Sequence, residues 1–154
     1  MRTIILALGN PLRGDDGVGG AVLEHLRSAA LPQEVTLMDG GTAGLEIVLL
    51  LQHHERAVII DAADMDRNPG EWAWFTPSQV YQSARDMHLR GTLHYAGLAE
   101  ALMLGAALDL LPPRIDIIGI QPASIDWRPG LSKPVLEAVP QVAEEVLRLL
   151  NRAM

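Results

Sequence analysis

Acidic side chains follow three separate apolar runs of this chain, and an imidazole opens a later helical pattern. Asp16 lies in a glycine-rich stretch after the first run, Asp39 follows the second run, Asp61 follows the third, and His94 precedes a long apolar segment. Two of these carboxylates together with the imidazole would suit a divalent first-row metal with open coordination positions. Such a set does not suit a closed structural zinc site. The leading hypothesis from these residue types is therefore a metal site.

Each of these residues also has an ordinary structural interpretation. An aspartate between a strand and a helix is most often a cap or turn residue, and Asp15 is expected to cap the helix that follows it. A lone histidine at a helix start is more often a surface group than a ligand. The carboxyl ends of parallel strands form the ligand-binding edge of an open α/β sheet. Because three of the candidate ligands converge on that edge, a functional site is favoured over three separate structural roles.

Apolar runs alternate with helical patterns along the chain, which is typical of α/β proteins. Strands are predicted over 3–8, 35–38, 57–60, 71–76 and 115–120, with 71–76 at an edge of the sheet. Helices are predicted over 18–30, 45–53 and 94–110, and residues 77–92 are expected to form a loop or a short helix. The pattern predicts a three-layer α/β/α fold around a mostly parallel, twisted sheet of about five strands.

Local signals add detail at the helix boundaries. Thr42 is placed to cap the 45–53 helix, which is apolar almost all round and should be buried on more than one side. Pro140 is expected to open the last helix, because proline is favoured in a first turn. Ser132 is expected to cap one turn.

Composition narrows the possible chemistry. The chain has 154 residues, no cysteine and a formal net charge of −7, so thiolate chemistry is excluded and nucleic acid is a poor partner. It has no G-x-S-x-G and no H-E-x-x-H motif, so neither a serine hydrolase nor a conventional zinc protease is supported. We expect a single domain over 1–154, monomeric and cytoplasmic, with no membrane segment.

Several separated motifs identify a resemblance that extends from residue 2 to about residue 150. They are Gly9-Asn10-Pro11-Leu12, Asp15-Asp16-Gly17-Val18-Gly19, Asp39-Gly40-Gly41-Thr42-Ala43-Gly44, Asp61-Ala62, His94-Tyr95-Ala96-Gly97-Leu98 and Gly119-Ile120-Gln121-Pro122. Together and in this order they resemble the hydrogenase maturation endopeptidases of NiFe hydrogenases. Residues 64–91 carry no motif of that family, so the sequence does not indicate which hydrogenase is processed.

The resemblance implies an aspartic-type protease that removes a C-terminal extension from the hydrogenase large subunit after nickel has been inserted. It implies that Asp16, Asp61 and His94 contact Ni²⁺ carried by the substrate, and that Asp39 lines the same cleft. Some family members have glutamate at the position of Asp16, so the shorter side chain requires the helix start to lie closer to the metal. The nickel could serve as a docking clamp or as a Lewis acid beside the scissile bond.

Two other functions stay open on the sequence alone. The same cleft could belong to a nickel-sensing assembly checkpoint module that binds the large subunit without cutting it. A small-molecule hydrolase on the same scaffold is the weaker alternative, because a fold does not fix a function. For a protease, the lack of a serine or cysteine nucleophile in a recognisable motif favours attack by water.

Overall fold

The computed structural model describes residues 1–85 and 93–152, and it describes side chains for 1–82 and 97–152. Within these ranges the sheet consists of β1 (Thr3–Leu8), β2 (Val35–Gly41), β3 (Arg56–Ala62), β4 (Trp72–Phe75) and β5 (Arg114–Ile120). The strand order is β2-β1-β3-β5-β4. All neighbours are parallel except β4, which runs antiparallel to β5 and forms one edge. The predicted mostly parallel sheet is therefore confirmed.

Helices cover both faces of the sheet. After β1 come a short 3₁₀ helix (Gly14–Gly17) and α1 (Val18–Arg27), followed along the chain by α2 (Ile47–Leu51), α3 (Pro77–Arg85), α4 (Leu93–Ala107) and α5 (Lys133–Arg152). Among the described residues no helix is both long and apolar enough to cross a membrane. The three-layer α/β/α arrangement agrees with the alternation of strand and helix patterns in the sequence.

Two apolar cores lie on opposite faces of the sheet. On one face Ile5, Ala7 and Ile60 pack with side chains of α1 and α5, and on the other Leu6 and Ile59 pack with side chains of α2 and α4. Every residue of β1 and β3 is buried, because both strands lie inside the sheet and both of its faces are covered. This explains why the runs 4–8 and 57–60 within these strands are continuously hydrophobic rather than alternating.

The predicted helix at 45–53 is shorter and more exposed than expected. It spans only Ile47–Leu51, Glu46 stands at its start, and no side chain caps it, so the predicted cap at Thr42 is wrong. Leu49 is 63% exposed, so the prediction of burial on several sides is also wrong. The reason is geometric: α2 packs on the sheet and against α4, and nothing in the described part of the chain covers its outer side.

The last helix also differs from its prediction. Pro140 lies inside α5 rather than opening it. Ser132 directly precedes α5, where its carbonyl oxygen accepts a hydrogen bond from the N–H of Leu136 while its hydroxyl donates to Asp15. A proline in a helix removes one hydrogen bond to the carbonyl four residues earlier, here that of Leu136. Both Pro140 and Leu136 are on the exposed side of α5, where water can satisfy that carbonyl. The apolar face of the helix meanwhile packs without interruption on the sheet.

Candidate active site

Asp16 is held over the carboxyl end of β1 by a tight backbone turn. Gly9 has a φ of +122°, and a Cβ at this position would collide with the carbonyl oxygen of Asp16. One carboxylate oxygen of Asp16, Oδ2, accepts a hydrogen bond from the backbone N–H of Asn10 at 2.8 Å. The side chain is only 2% exposed. The glycine therefore allows the loop to fold back so closely that a carboxylate is buried at the end of the sheet.

Asp61 occupies the same edge of the sheet on the neighbouring strand. It lies in the carboxyl-terminal part of β3, opposite Gly119 of β5, and is 2% exposed. Side chains alternate along a strand, so Asp61 points to the same face as Ile59, which packs in the core beneath α2 and α4. The 3₁₀ helix that carries Asp16 also packs on β3. Two of the predicted site residues therefore lie as buried carboxylates at one edge.

His94 lies in the first turn of α4, and its side chain is outside the described residues. The backbone nevertheless shows where this helix begins. A Cβ built on Gly97 would lie 3.7 Å from the Cα of Gly44, which follows the carboxyl end of β2. The start of α4 therefore lies at the same edge of the sheet as Asp16 and Asp61. Contact between the three side chains stays a prediction.

Asp39 lies on the other face of the sheet from Asp61. It pairs with Ala7 of β1, which packs in the core beneath α1 and α5, so its side chain points toward α1. It is exposed, and its Oδ1 accepts a hydrogen bond from the backbone N–H of Gly41 at 2.9 Å. The two carboxylates thus approach the edge from opposite sides. Any ligand that reaches both must cross the ends of the strands.

A groove of about 340 Å³ runs beside Asp39. Its walls come from the loop after β1, from α1 and from the loop after β5: Gly9, Pro11, Gly14, Gly17, Gly20, Ala21, Asp39, Gly130 and Leu131. Gly20 is unusual because it lies inside α1, where glycine costs about 1 kcal/mol relative to alanine. A Cβ there would meet only Oδ2 of Asp39, at 3.8 Å, so packing does not require the glycine. Because Gly20 has no side chain, the groove stays open at this point.

Asp15 has a structural role that the sequence did not indicate. It was predicted to cap a helix, but it lies within the 3₁₀ helix, is 1% exposed and caps nothing. Its carboxylate accepts hydrogen bonds from the backbone N–H of Ala123 at 2.8 Å and of Ser132 at 2.7 Å, and from the Ser132 hydroxyl at 2.7 Å. Asp15 therefore joins the loop after β1 to the loop after β5.

Gln121 is a second positioning residue without a predicted role. Its side-chain carbonyl oxygen accepts hydrogen bonds from the backbone N–H of Met65 at 2.6 Å and of Arg67 at 3.3 Å. Its amide nitrogen donates to a carboxylate oxygen of Asp64 at 3.2 Å. The side chain thus fixes the segment that follows Asp61. The only signal in the sequence is its place in the Gly119-Ile120-Gln121-Pro122 motif, directly after β5.

The described side chains do not by themselves form a metal centre. Among residues 1–82 and 97–152, no group of three His, Asp or Glu side chains is arranged to hold a metal ion. What they form is an edge with two buried carboxylates, an exposed third carboxylate on the opposite face, and a groove leading past it. The two buried carboxylates offer oxygen ligands on one side, and the groove offers space for an extended chain on the other.

Comparison with known proteins agrees with this architecture. A family model described as hydrogenase maturation protease matches residues 21–149. The hydrogenase expression/formation protein HupD of Rhizobium leguminosarum bv. viciae is 33% identical over 154 residues, covering 97% of this chain and 74% of that protein. The hydrogenase 2 maturation protease of Escherichia coli (strain K12) is 28% identical, covering 99% and 93%.

A solved structure is similar over nearly the whole of this chain. The hydrogenase maturating endopeptidase HybD from E. coli superimposes with a TM-score of 0.89 at 27% sequence identity, covering 99% of this chain and 94% of that one. The fold, the family model and the relatives therefore agree, and they agree with the resemblance carried by the sequence motifs. This chain belongs to the hydrogenase maturation protease family.

Proposed function

We propose that this chain is an endopeptidase that removes the C-terminal extension of a NiFe hydrogenase large subunit after nickel has been inserted. The observation that carries the proposal is the burial of Asp16 and Asp61 at one edge of the sheet, in a chain of the hydrogenase maturation protease family. A protease for this task needs to distinguish a loaded precursor from an empty one. Asp16 and Asp61, with His94 as the proposed third ligand, offer a way to do so.

Nickel held by the precursor is the feature that the site recognises. Carboxylates that are 2% exposed attract a divalent cation more strongly than exposed ones, because the surrounding protein screens charge less than water does. Asp16 and Asp61 supply oxygen ligands, and His94 supplies nitrogen when its ring is neutral. The precursor supplies the remaining ligands, so the complete coordination shell forms only when loaded precursor is bound.

The groove beside Asp39 gives the extension a place to lie. An extended chain can approach α1 closely at Gly20, where no side chain intervenes. Among the described residues Asp39 accepts a hydrogen bond only at Oδ1, so Oδ2 can accept one from the extension. The scissile bond is then presented between the groove and the two buried carboxylates. Attack by water completes the hydrolysis, since the chain has no cysteine and no recognisable serine nucleophile.

The test compares nickel-loaded and nickel-free precursor. Each is incubated with the purified protein, and the products are weighed by mass spectrometry. We expect the loaded precursor to lose its C-terminal extension and the nickel-free precursor to stay intact. Binding of loaded precursor without any loss of mass would instead identify a non-proteolytic checkpoint module. Cleavage of both forms at equal rates would refute recognition through nickel.

The nickel ligands can be tested separately by calorimetric titration at neutral pH. The protein alone should bind Ni²⁺ weakly, because three ligands leave the coordination shell incomplete, and the affinity should rise when precursor is present. His94→Ala should weaken binding of Ni²⁺ by about tenfold or more, because loss of a residue that merely supports a ligand already costs that much. Equal affinities for the variant and the wild type would mean that His94 is not a ligand.

A further inference from the structure

Two loops at the carboxyl edge of the sheet are joined into one rigid surface. They are residues 10–14, before the 3₁₀ helix, and residues 123–129, after β5, and we call them together the Arg13–Trp127 platform. The N–H of Gly14 donates to the carbonyl of Arg128 at 2.7 Å, and Nε of Arg13 donates to the carbonyl of Ile125 at 3.2 Å. The platform is therefore fixed by the fold before any partner binds.

The platform exposes large side chains that a protein would normally bury. Trp127 is 73% exposed, more than any other large apolar side chain in the described part of the chain, and Leu12 is 59% exposed. The guanidinium of Arg13 lies 4.9 Å from the centre of the Trp127 ring. A stacked arginine holds the indole in one orientation without covering it. Tryptophan and arginine are the residue types most often found at the energetic centres of protein interfaces.

The charge of the platform differs from that of the whole chain. The protein carries a formal net charge of −7, yet the charged residues of the platform are Arg13, Arg128 and a single acid, Asp126. Arg13 forms no ion pair with any described residue, so its terminal nitrogens can bind a carboxylate of a partner. The positive charge of the platform favours a partner that has acidic residues around an apolar contact.

We propose that the Arg13–Trp127 platform is the surface on which the folded body of the large-subunit precursor docks. Trp127 enters an apolar depression of the precursor, and Arg13 pairs with a carboxylate at its rim. Asp16 follows Arg13 by three residues in the same loop, so a precursor docked here lies directly beside the nickel-binding edge. The proposal rests on the proposed function, since it names the precursor as the partner, but it concerns residues outside the reacting centre.

The experiment measures cleavage of nickel-loaded precursor together with calorimetric binding of the same precursor. Trp127→Ala should raise KM and Kd about tenfold or more, the effect of losing an interface hot spot, with kcat unchanged. Trp127→Phe should restore most of the affinity because it keeps an aromatic ring. Arg13→Gln should raise KM several-fold and make binding less sensitive to salt. Leu108→Ala is the matched control, because Leu108 is 55% exposed beyond the end of α4, far from the platform, and should change neither constant.

The outcomes separate this proposal from the proposed function. Normal KM and Kd for Trp127→Ala, in a wild-type protein that cleaves, would overturn the docking surface and leave the protease intact. Precursor binding that depends on Trp127, without cleavage by the wild type, would support the surface and refute the protease. A wild type that neither binds nor cleaves the precursor would overturn both. Thermal melting within about 2 °C of the wild type confirms that each variant is folded.

Discussion

At the carboxyl edge of the sheet the buried charged groups are carboxylates, whereas at the amino edge the buried charged group is a guanidinium. Arg56, at the start of β3, is 4% exposed and lines a cavity of about 270 Å³. Its Nη1 donates to the carbonyl of Leu149 at 3.4 Å, in the last turns of α5, and its Nε has no hydrogen-bond partner in the described part of the chain. Burial, and then the neighbouring Arg114, lower the pKa of Arg56.

The comparison shows that burial of a charge is not sufficient to mark a functional site. A cation near the C-terminus of a helix is favoured by the helix dipole, so Arg56 has a structural explanation. Asp15 has one too, because its carboxylate is fully occupied by donors from the loop after β5. Asp16 and Asp61 differ in lying where the start of α4 and the ends of two strands meet. Substitution of a buried charged residue should therefore reduce activity at Asp61 and stability at Asp15.

The largest expected effect is on activity, from Asp61→Asn. The substitution keeps the size and polarity of a buried side chain but removes the negative charge that is proposed to face nickel. We expect the rate of precursor processing to fall by about a hundredfold or more, with little change in thermal stability. Processing is followed by mass spectrometry and stability by thermal melting. A parallel loss of stability would indicate that Asp61 is structural, like Asp15.

The next largest effect is on stability, from the same chemical change at Asp15. In Asp15→Asn, an amide NH₂ must face a backbone N–H, of Ser132 on one side or of Ala123 on the other. We expect the free energy of unfolding to fall by about 2–3 kcal/mol, since buried donors lose a charged acceptor. Asp126→Asn, at an exposed acid in the loop after β5 that supplies these donors, should leave unfolding by denaturant nearly unchanged. A stable Asp15→Asn protein would show that the joined loops do not depend on this carboxylate.

The smallest effect is expected at the amino edge. Arg56→Met replaces a buried cation by an apolar side chain of similar length, and such replacements are often neutral for stability. The lost hydrogen bond to Leu149 is long, and removing an Nε without a hydrogen-bond partner is favourable. We expect the free energy of unfolding to change by less than about 1 kcal/mol and processing to be unaffected. A loss of processing in a folded variant would show that the two edges are coupled.

The sequence predicted most of the sheet because its strands are determined locally. Residues 3–8 form β1 as predicted, and the strand with Trp72 and Trp74 lies at an edge as expected. The failed predictions at Pro140 and Asp15 share one cause, which is that contacts distant in sequence outweighed a local rule. Pro140 stays inside α5 because the apolar face of the helix is buried on both sides of it along the chain.

The candidate site was predictable in part for the same reason. The position of Asp61 at the end of a buried strand can be inferred from a run of apolar residues. The partners of Asp15 cannot, because they lie 108 to 117 residues further along the chain. Likewise no pattern in the sequence shows that Gly20 faces Asp39, or that Arg13 lies over Trp127. These contacts exist only once the sheet has formed.

The link made by Asp15 also sets an order of events during synthesis. β5 is inserted between β3 and β4, and the loop that follows it supplies the donors that hold the loop of Asp16. A nascent chain that has reached only residue 110 has all its acidic site residues but cannot yet fix them in place. At about 5–20 residues per second, the remaining stretch to Ser132 takes a few seconds to make. We therefore expect the chain to bind a precursor only when its own folding is nearly complete.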